Sequence, residues 1–261
     1  MIGATFTIEF DGMRFEFPEI DDRDLVHNRI KSGKTFYEDE LLRFLAENIT
    51  GPGIALDCGA NIGNHTLFFA GVMQLRTLAV EPVARNYQIL ERVIELNGLS
   101  GQADVVKMAL DDHEGEVVMT LDSPGNPGMY KVGNGAGTSV RSTTLDALCQ
   151  NEQGQIRVIK IDVEGFQDQV IRGARAVIER DKPIIAAELT TESEYRSFCE
   201  LIVPNGYVPV TVFNRTPTIV FCGDGTLPDG SDAVTSHLRS YARRMRFLGP
   251  IQRTLQKIGL A

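Results

Sequence analysis

The amino-acid sequence predicts an α/β protein with a doubly wound, mostly parallel β-sheet. In residues 54–63, I-A-L-D-C-G-A-N-I-G, an apolar run ends in an acid and two glycines follow four residues apart. An amphipathic run begins at Asn64, so this glycine corner has the order strand, tight turn, helix start. Beyond the corner, strand-like apolar runs alternate with segments of helical periodicity. Such alternation is typical of a parallel sheet covered by helices on both faces.

Composition restricts the class of protein. The chain has 261 residues, which is enough for one large α/β domain, and a formal net charge of −9, so we expect no nucleic-acid partner. Its four cysteines stand far apart without a C-x-x-C pair, which argues against a zinc site or a disulfide framework. No signal peptide and no apolar run of about 18 residues are recognisable. We therefore expect a cytoplasmic protein that does not span a membrane.

The N-terminal part predicts a β-hairpin followed by a helix. Residues 5–17 alternate apolar and polar side chains around Asp11-Gly12, a frequent hairpin turn. Residues 21–28 are polar and predict a loop or a first helical turn. Leucines at helical spacing predict a helix over residues 36–48. That helix either only packs on the sheet or brings Tyr37 and Glu38, at its start, to a ligand pocket.

Strands and helices then alternate after the glycine corner. Residues 76–80 predict a second strand that ends in Glu81-Pro82, and this acid lies 18 residues after Gly63. A doubly wound fold places a ribose-binding carboxylate at about this distance. An amphipathic helix, a third strand over residues 104–110 and a return strand over 117–121 follow. Residues 123–137 contain five glycines and two prolines and predict a mobile loop over the site.

The second half of the chain completes the sheet. Residues 156–163, I-R-V-I-K-I-D-V, form a near-continuous apolar run and predict a buried parallel strand. A helix over residues 166–180 and a strand over 183–189, which contains Glu188, come next. Thr191 and Glu194 fit a capping box for another helix. The last predicted strands, residues 207–213 and 218–222, form an antiparallel pair.

The C-terminal tail, residues 231–261, differs in composition from the rest. It carries six Lys or Arg residues, one acid and interleaved apolar residues. The simpler interpretation is a solvated or self-associating helix, and the alternative is peripheral contact with an anionic membrane surface. We therefore divide the chain into an N-terminal hairpin and connection (residues 1–30), a main domain (31–230) and this basic tail.

The glycine pattern favours a cationic cofactor. A dinucleotide fingerprint has the form G-x-G-x-x-G, in which the second glycine admits a pyrophosphate. This chain has instead D-x-G-x-x-x-G, with Asp57 before the first glycine. A carboxylate there serves a pyrophosphate poorly but serves a sulfonium or an ammonium well. S-adenosylmethionine carries both groups, and its ribose would suit Glu81.

Four motifs together resemble the FkbM-type methyltransferases, a family of class I S-adenosylmethionine-dependent O-methyltransferases. They are D-C-G-A-N-I-G at 57–63, V-E-P at 80–82, K-I-D-V-E-G at 160–165 and A-E-L at 187–189. The resemblance covers residues 36–188 and leaves the hairpin and the tail outside. It implies a Rossmann-like fold with a seven-stranded sheet and a C-terminal antiparallel pair. It also implies methyl transfer to a hydroxyl of a sugar, a polyketide or a related metabolite.

The resemblance implies a role for each matching position. Residues of the corner would line the methionine and ribose end, Glu81 with Pro82 would hold the ribose, and Asp162 would face the methyl group. The expected cofactor-binding residues are Tyr37, Glu38, Asp57, Gly59, Ala60, Asn61, Gly63, Asn64, Glu81, Pro82, Ala109, Leu110 and Asp162. The structural alternatives are that the glycines only shape a turn and that the acids only cap neighbouring helices.

Candidate catalytic groups cluster around the fourth predicted strand. Lys160, Asp162 and Glu164 stand at i, i+2 and i+4, so they share one face if the strand continues that far. Glu188 ends the strand expected beside this one, so Asp162, Glu164 and Glu188 should converge. They would act either as a general base with orienting groups or, in the case of Asp162 and Glu188, as ligands of Mg²⁺. Lys160 is either held charged by these acids or acts as a base itself. The alternative to any catalytic role is that Lys160 and the acids form a structural ion pair at the end of the sheet. His65 is a further candidate base or a packed histidine.

Two other function classes stay open from the residues alone. An NAD-dependent oxidoreductase would share the strand-end acid but would lack the third glycine of its fingerprint. A non-catalytic protein would bind the cofactor, or none, and act through the basic tail at a membrane or a partner. The small-molecule or glycan acceptor of the leading hypothesis is not identified by any motif.

Overall fold

The computed structural model describes residues 4–20, 23–121, 130–132, 137–214, 216–223, 225 and 227–243. The strands in chain order are β1 (Thr5–Phe10), β2 (Met13–Pro18), β3 (Ile54–Cys58), β4 (Arg76–Val80), β5 (Ala103–Val106), β6 (Ala109–Leu110), β7 (Gly115–Leu121), β8 (Tyr130–Val132), β9 (Thr138–Thr143), β10 (Ile156–Ile161), β11 (Ile184–Glu188), β12 (Val208–Phe213) and β13 (Thr218–Cys222). The α-helices are α1 (Leu25–Gly33), α2 (Asp39–Asn48), α3 (Asn64–Leu67), α4 (Ala84–Leu96), α5 (Leu145–Leu148), α6 (Gln167–Arg172), α7 (Arg175–Asp181) and α8 (Glu192–Ile202). A π-helical turn (Phe68–Val72) extends α3, and residues 231–243 are also helical.

The central sheet confirms the predicted doubly wound fold. Its seven strands have the order β12-β13-β11-β10-β3-β4-β5. The pairs from β11 to β5 are parallel, and β13 runs antiparallel to β11 and to β12. The chain leaves β3 toward β4 and later returns to its other side as β10. The strand order therefore reverses between β3 and β10, where ligands bind in open α/β sheets.

Both faces of the sheet are buried. In β10, Ile159 and Ile161 pack in one apolar cluster with α6 and α7, whereas Val158 packs in another with α2. Side chains alternate along a strand, so this near-continuous apolar run supplies both clusters. The predicted N-terminal hairpin is β1 and β2, and it closes the second cluster. Phe36 there contacts the rings of Phe10, Phe15, Phe17 and Phe68, with centroids 5.1–6.5 Å apart.

The segment between β5 and β10 differs from the prediction. The expected third strand, residues 104–110, is divided into β5 in the main sheet and β6 in a second sheet. That second sheet has the order β6-β9-β7-β8, so the return strand belongs to it and not to the main sheet. The expected mobile loop over 123–137 lies outside the described residues except for β8 and Gly137.

The helices also differ in their bounds. The helix expected over residues 166–180 is two helices, α6 and α7, which meet at Gly173. A Cβ at Gly173 would lie 2.3 Å from the backbone oxygen of Asp111, so the close approach of these backbones requires glycine. Residues 21–28 contain the start of α1, where the buried Asp24 side chain accepts a hydrogen bond from the backbone N–H of His27.

The basic tail is described only as far as residue 243. Its first part is not separate from the main domain, because Val234 and Leu238 are buried in the same cluster as α6 and α8. The basic residues beyond residue 243 lie outside the described residues. Among the described helices, none has the length and apolar character needed to cross a bilayer.

Candidate active site

A cavity opens at the carboxyl ends of the parallel strands, next to the point where the strand order reverses. Eleven of the predicted site residues border it: Tyr37, Glu38, Gly59, Asn61, Glu81, Pro82, Ala109, Leu110, Asp162, Glu164 and Glu188. The other six do not border it: Asp57, Ala60, Gly63, Asn64, His65 and Lys160. Most of those six are buried directly behind the wall and hold wall residues in place.

The glycine corner brings the end of β3 against β10. Gly59 has φ +81°, and a Cβ on it would lie 1.9 Å from the backbone oxygen of Asp162. Gly63 has φ +91°, and a Cβ on it would lie 2.7 Å from Cδ1 of Leu90 in α4. Both glycines are therefore required by positive φ and by close backbone packing. The corner also leaves the buried Oδ1 of Asn61, a cavity-lining residue, without a hydrogen-bond partner among the described residues.

Glu81 is a buried carboxylate on the cavity wall. It is 4% exposed, and its two oxygens accept hydrogen bonds from the backbone N–H groups of Asn61 at 2.8 Å and Val83 at 2.9 Å. Burial raises the pKa of Glu81 to about 7, although these two hydrogen bonds act in the opposite direction. The carboxyl group is thus fixed in one orientation, and above about pH 7 it carries a charge that water does not screen. Such a group suits the hydroxyls of a ribose.

Asp57 lies beneath the cavity floor rather than on it. It is fully buried, and its Oδ2 accepts a hydrogen bond of 2.6 Å from Oγ1 of Thr66. Its Oδ1 has no hydrogen-bond partner among the described residues. In the register of the sheet, Asp57 stands beside Lys160 of the neighbouring strand β10. Asp57 therefore contributes negative charge to the site from behind its wall.

Lys160, Asp162 and Glu188 form a polar cluster where β10 and β11 end, in which Lys160 is buried and the Asp162 side chain is 32% exposed. Nζ of Lys160 donates a hydrogen bond of 2.8 Å to Oδ2 of Asp162, and the carboxyl groups of Asp162 and Glu188 are hydrogen-bonded to each other. Burial alone would lower the pKa of Lys160, but the charges of Asp162, Glu38 and Asp57 outweigh it and raise the pKa. Lys160 therefore stays an ammonium group, as in the first of the two predicted alternatives.

The two acids of this cluster have opposite pKa shifts. Burial by itself raises the pKa of Asp162, but the Lys160 ammonium and hydrogen bonds from Glu188 and Lys160 hold it below its usual range. Burial raises the pKa of Glu188 well above its usual range, and the charge of Asp162 raises it further. The contact between the two carboxyl groups thus lowers the pKa of Asp162 and raises that of Glu188, and the two groups titrate as a pair. Two neighbouring acids with divergent pKa values are typical of an acid–base site.

Glu164 does not extend the face of Lys160 and Asp162. The strand β10 ends at Ile161, and Glu164 adopts φ +47° in the turn that follows. Its side chain is exposed and borders the cavity mouth. The predicted alignment of three residues on one strand face therefore holds only for the first two.

The residue pair Tyr37 and Glu38 forms the opposite wall and is held by the first turn of α3. The side-chain amide of Asn64 accepts a hydrogen bond from the backbone N–H of Tyr37 at 2.8 Å and donates one to its carbonyl at 2.9 Å. Nε2 of His65 lies 3.1 Å from Oε2 of Glu38, and both side chains are 9% exposed. Burial raises the pKa of Tyr37 to about 12, and the charges of Glu38, Glu188 and Asp162 contribute. Asn64 and His65 therefore fix this wall rather than border the cavity.

Several wall residues were missed by the sequence reasoning. They are mostly apolar and come from α1, the second sheet and the loops after β10 and β12: Leu25, Val26, Met108, Met119, Val132, Phe166 and Thr216. No motif marks such residues, because their positions depend on how the second sheet folds over the first. Asn86 was also missed, although it lies in the first turn of the helix after Glu81 and hydrogen-bonds to that side chain.

The donor set does not fit a magnesium ion at Asp162 and Glu188. The Lys160 ammonium already supplies the positive charge at Asp162, and its Nζ donates a hydrogen bond to Oδ2 of that residue. Within the described residues, the cluster whose ligand atoms lie close enough for a metal is Asp111, Asp112 and His113, of which two are exposed. Exposed acidic groups of this kind are common without a metal, so the proposed chemistry includes no step through one.

Comparison with known proteins identifies the family. The model of a domain described as "Methyltransferase FkbM domain" matches residues 57–214, which include the glycine corner, Glu81 and the Lys160–Asp162–Glu188 cluster. The chain belongs to the FkbM methyltransferase family. The resemblance drawn from the four sequence motifs is thereby confirmed, and the FkbM domain spans the strands from β3 to β12.

Individual relatives are more distant. The hexuronic acid methyltransferase AglP of Haloferax volcanii is 24% identical over 138 residues, which cover 52% of this chain and 56% of AglP. A solved FkbM methyltransferase from Methylobacillus flagellatus KT is 18% identical with a TM-score of 0.48, covering 78% of this chain and 55% of that one. A putative rRNA methylase from Clostridium thermocellum is 10% identical with a TM-score of 0.49, covering 74% and 96%. This chain therefore spans little more than half the length of its curated relative, AglP.

Proposed function

We propose that this FkbM methyltransferase transfers the methyl group of S-adenosylmethionine to a hydroxyl group of a sugar, a polyketide or a related metabolite. The observation that carries the proposal is the arrangement of Glu81 and the Asp162–Glu188 pair in one cavity beside the glycine corner. Glu81 suits the ribose of the cofactor, and the acid pair suits an acceptor that must lose a proton. AglP, as a hexuronic acid methyltransferase, supports a sugar-type acceptor for this chain.

The residues near the glycine corner fit this cofactor. Gly59 leaves no room for a side chain where the turn meets β10, and Asn61 presents a buried oxygen without a partner among the described residues. Glu81 offers two fixed oxygens to the ribose, and Ala109 and Leu110 offer apolar surface to the adenine. Asp57 adds negative charge behind the corner, which favours a positively charged ligand.

The acid pair supplies what the acceptor requires. When bound, S-adenosylmethionine supplies a methyl carbon already activated by a sulfonium. An alcohol must then be held in line with that carbon and lose its proton as the new bond forms. Glu188 has the higher pKa of the pair, so once deprotonated it is the stronger base. Asp162, held ionised by Lys160, orients the acceptor hydroxyl, and Lys160 balances the charge of the pair.

Binding of the cofactor to the folded chain provides the first test. Isothermal calorimetry with S-adenosylmethionine should give saturable binding, and Glu81→Ala should weaken it at least tenfold because hydrogen bonds to a charged group contribute about 1.5–3 kcal/mol. The matched control is Glu179→Ala, an exposed acid on α7 that does not border the cavity. Absence of binding by wild-type protein that melts cooperatively would contradict the proposal.

A further inference from the structure

Acidic side chains predominate among the titratable residues of the described cavity wall. Five carboxylic acids border it: Glu38, Glu81, Asp162, Glu164 and Glu188. No Lys, Arg or His occurs among the described residues that border it. Glu81 belongs to the proposed cofactor end, whereas Asp162, Glu164 and Glu188 lie at or just after the ends of β10 and β11, where the acceptor is proposed to bind.

Two nearby basic side chains contact acids of the wall from behind it. Lys160 is 1% exposed and donates its hydrogen bond to Asp162, and His65 is paired with Glu38. Arg29 is exposed on α1, and its charge has the smallest of five effects on the pKa of Tyr37. None of these three side chains borders the cavity. Within the described part of the wall, a negatively charged acceptor would therefore meet acidic side chains and no basic one.

We infer that the acceptor site selects neutral, hydroxyl-rich sugars and rejects carboxylated ones, and that Glu164 is a determinant of this selection. The inference rests on the proposed O-methyltransferase function. An ionised carboxylate, such as the one that Lys160 holds at Asp162, only accepts hydrogen bonds and therefore suits the hydroxyl donors of a sugar. A uronic acid brings a second acceptor-only anion, which would lose its water without gaining a partner of opposite charge.

Glu164 is the acid on which this selection is best tested. It is exposed at the cavity mouth, in the turn after β10, whereas Asp162 and Glu188 belong to the proposed chemistry. Its φ of +47° does not prevent replacement by lysine, because Lys34 and Lys182 of this chain adopt φ +52° and +49°. Glu164→Lys therefore reverses the charge at the mouth without new backbone strain.

The experiment compares matched acceptors. Labelled methyl transfer from S-adenosylmethionine is measured for methyl glycosides of several hexoses and for the corresponding uronic acids, which differ only in a 6-carboxylate. We expect kcat/KM for the neutral member of each active pair to be higher by at least about 100-fold. Glu164→Lys should narrow that ratio by at least about tenfold, and added salt should narrow it in the wild type. The ratio is taken within each variant, so any effect of Glu164 on the pKa of Glu188 cancels.

The control and the contrary outcomes are specific. Glu179→Lys makes the same charge change on α7, away from the cavity, and should leave the ratio unchanged. A uronic acid that is methylated as well as its neutral counterpart would overturn the inference. Transfer to no member of either series, by protein that binds S-adenosylmethionine in calorimetry, would also overturn it. Failure to bind the cofactor would instead contradict the proposed function itself.

Discussion

At the residue scale, the chemistry depends on the different states of two neighbouring acids. Asp162 and Glu188 are hydrogen-bonded to each other, yet Lys160 contacts only Asp162 directly. This asymmetry lowers the pKa of Asp162 and raises that of Glu188. A single buried lysine thus distinguishes two side chains that the sequence alone presents as equivalent.

Replacing Glu188 tests its assignment as the base. Glu188→Gln keeps the size of the side chain and a hydrogen-bond donor toward Asp162, but it cannot accept a proton. We expect kcat to fall by about 10²–10⁴-fold, the usual contribution of a general base, with little change in cofactor affinity. Steady-state kinetics with Glu179→Gln as the control would measure this. A kcat within a few-fold of wild type would assign Glu188 a structural role.

The pKa of Glu81 predicts a pH dependence of cofactor binding. Its pKa is raised from 4.5 to about 7 in the folded protein. Below this pH the carboxyl group is protonated and accepts hydrogen bonds from the ribose less well. The Kd for the cofactor should therefore be roughly tenfold higher near pH 6 than near pH 8. Calorimetry at both pH values measures the effect. Glu81→Gln should bind weakly and with little dependence on pH; a variant as pH-dependent as the wild type would exclude Glu81 as the cause.

The same shift has a defined sign for stability. Between its unfolded value of 4.5 and about 7, Glu81 binds more protons in the folded state than in the unfolded state. The free energy of unfolding of the ligand-free protein therefore falls as pH rises through this interval. As pH rises through this interval, ionisation of Glu81 therefore strengthens cofactor binding but lowers the stability of the ligand-free protein.

At the element scale, the glycine corner shows what could and could not be predicted from sequence. The order of acid, glycines and helix start in the sequence correctly predicted where the cavity lies, because a strand–turn–helix corner of this kind is determined by neighbouring residues. Asp57 was expected to face the ligand, but it packs behind the corner against Thr66, which only the tertiary arrangement decides. Likewise, β6, β7 and β9 form a second sheet with β8, because no local pattern in the sequence determines which sheet a short strand joins.

The corner allows a matched test of backbone approach. Gly59→Ala and Gly165→Ala both place an alanine at positive φ, +81° and +90°, but only the first puts a Cβ against backbone, 1.9 Å from the oxygen of Asp162. We expect Gly59→Ala to lower the free energy of unfolding by about 1–3 kcal/mol more than Gly165→Ala, through overpacking. Urea denaturation of both variants measures the difference. If both variants lost the same free energy of unfolding, the positive φ alone, and not the close backbone approach, would explain why position 59 is glycine.

At the scale of the whole molecule, the fold was predictable because the hydrophobic periodicity of the sequence matches the observed strands and helices along most of the chain. The seven-stranded sheet follows from apolar runs with turn signals between them, as in β10 and β11. The apolar part of the cavity wall was not predictable in the same way. It combines α1, the second sheet and the loop after β12, and no local sequence pattern indicates such packing.

A ligand that binds only the folded molecule should stabilise it as a whole. S-adenosylmethionine at about 100 times its Kd should add about 2.7 kcal/mol to the free energy of unfolding and raise Tm by several degrees. NADH at the same concentration should leave Tm unchanged, since the third glycine of its fingerprint is absent. Differential scanning fluorimetry compares the two ligands. A shift with NADH and none with S-adenosylmethionine would favour an oxidoreductase.

The parallel pairing of β3 with β10 has a consequence for how the protein folds. This pairing places Lys160 beside Asp57. The glycine corner and the Asp162–Glu188 pair are therefore brought together by two strands that lie about a hundred residues apart in the chain. Closing so long a loop is entropically costly and slows folding. Binding competence should then appear only in the final cooperative step, so that a nascent chain released before β10 would hold the whole glycine corner and still have no site.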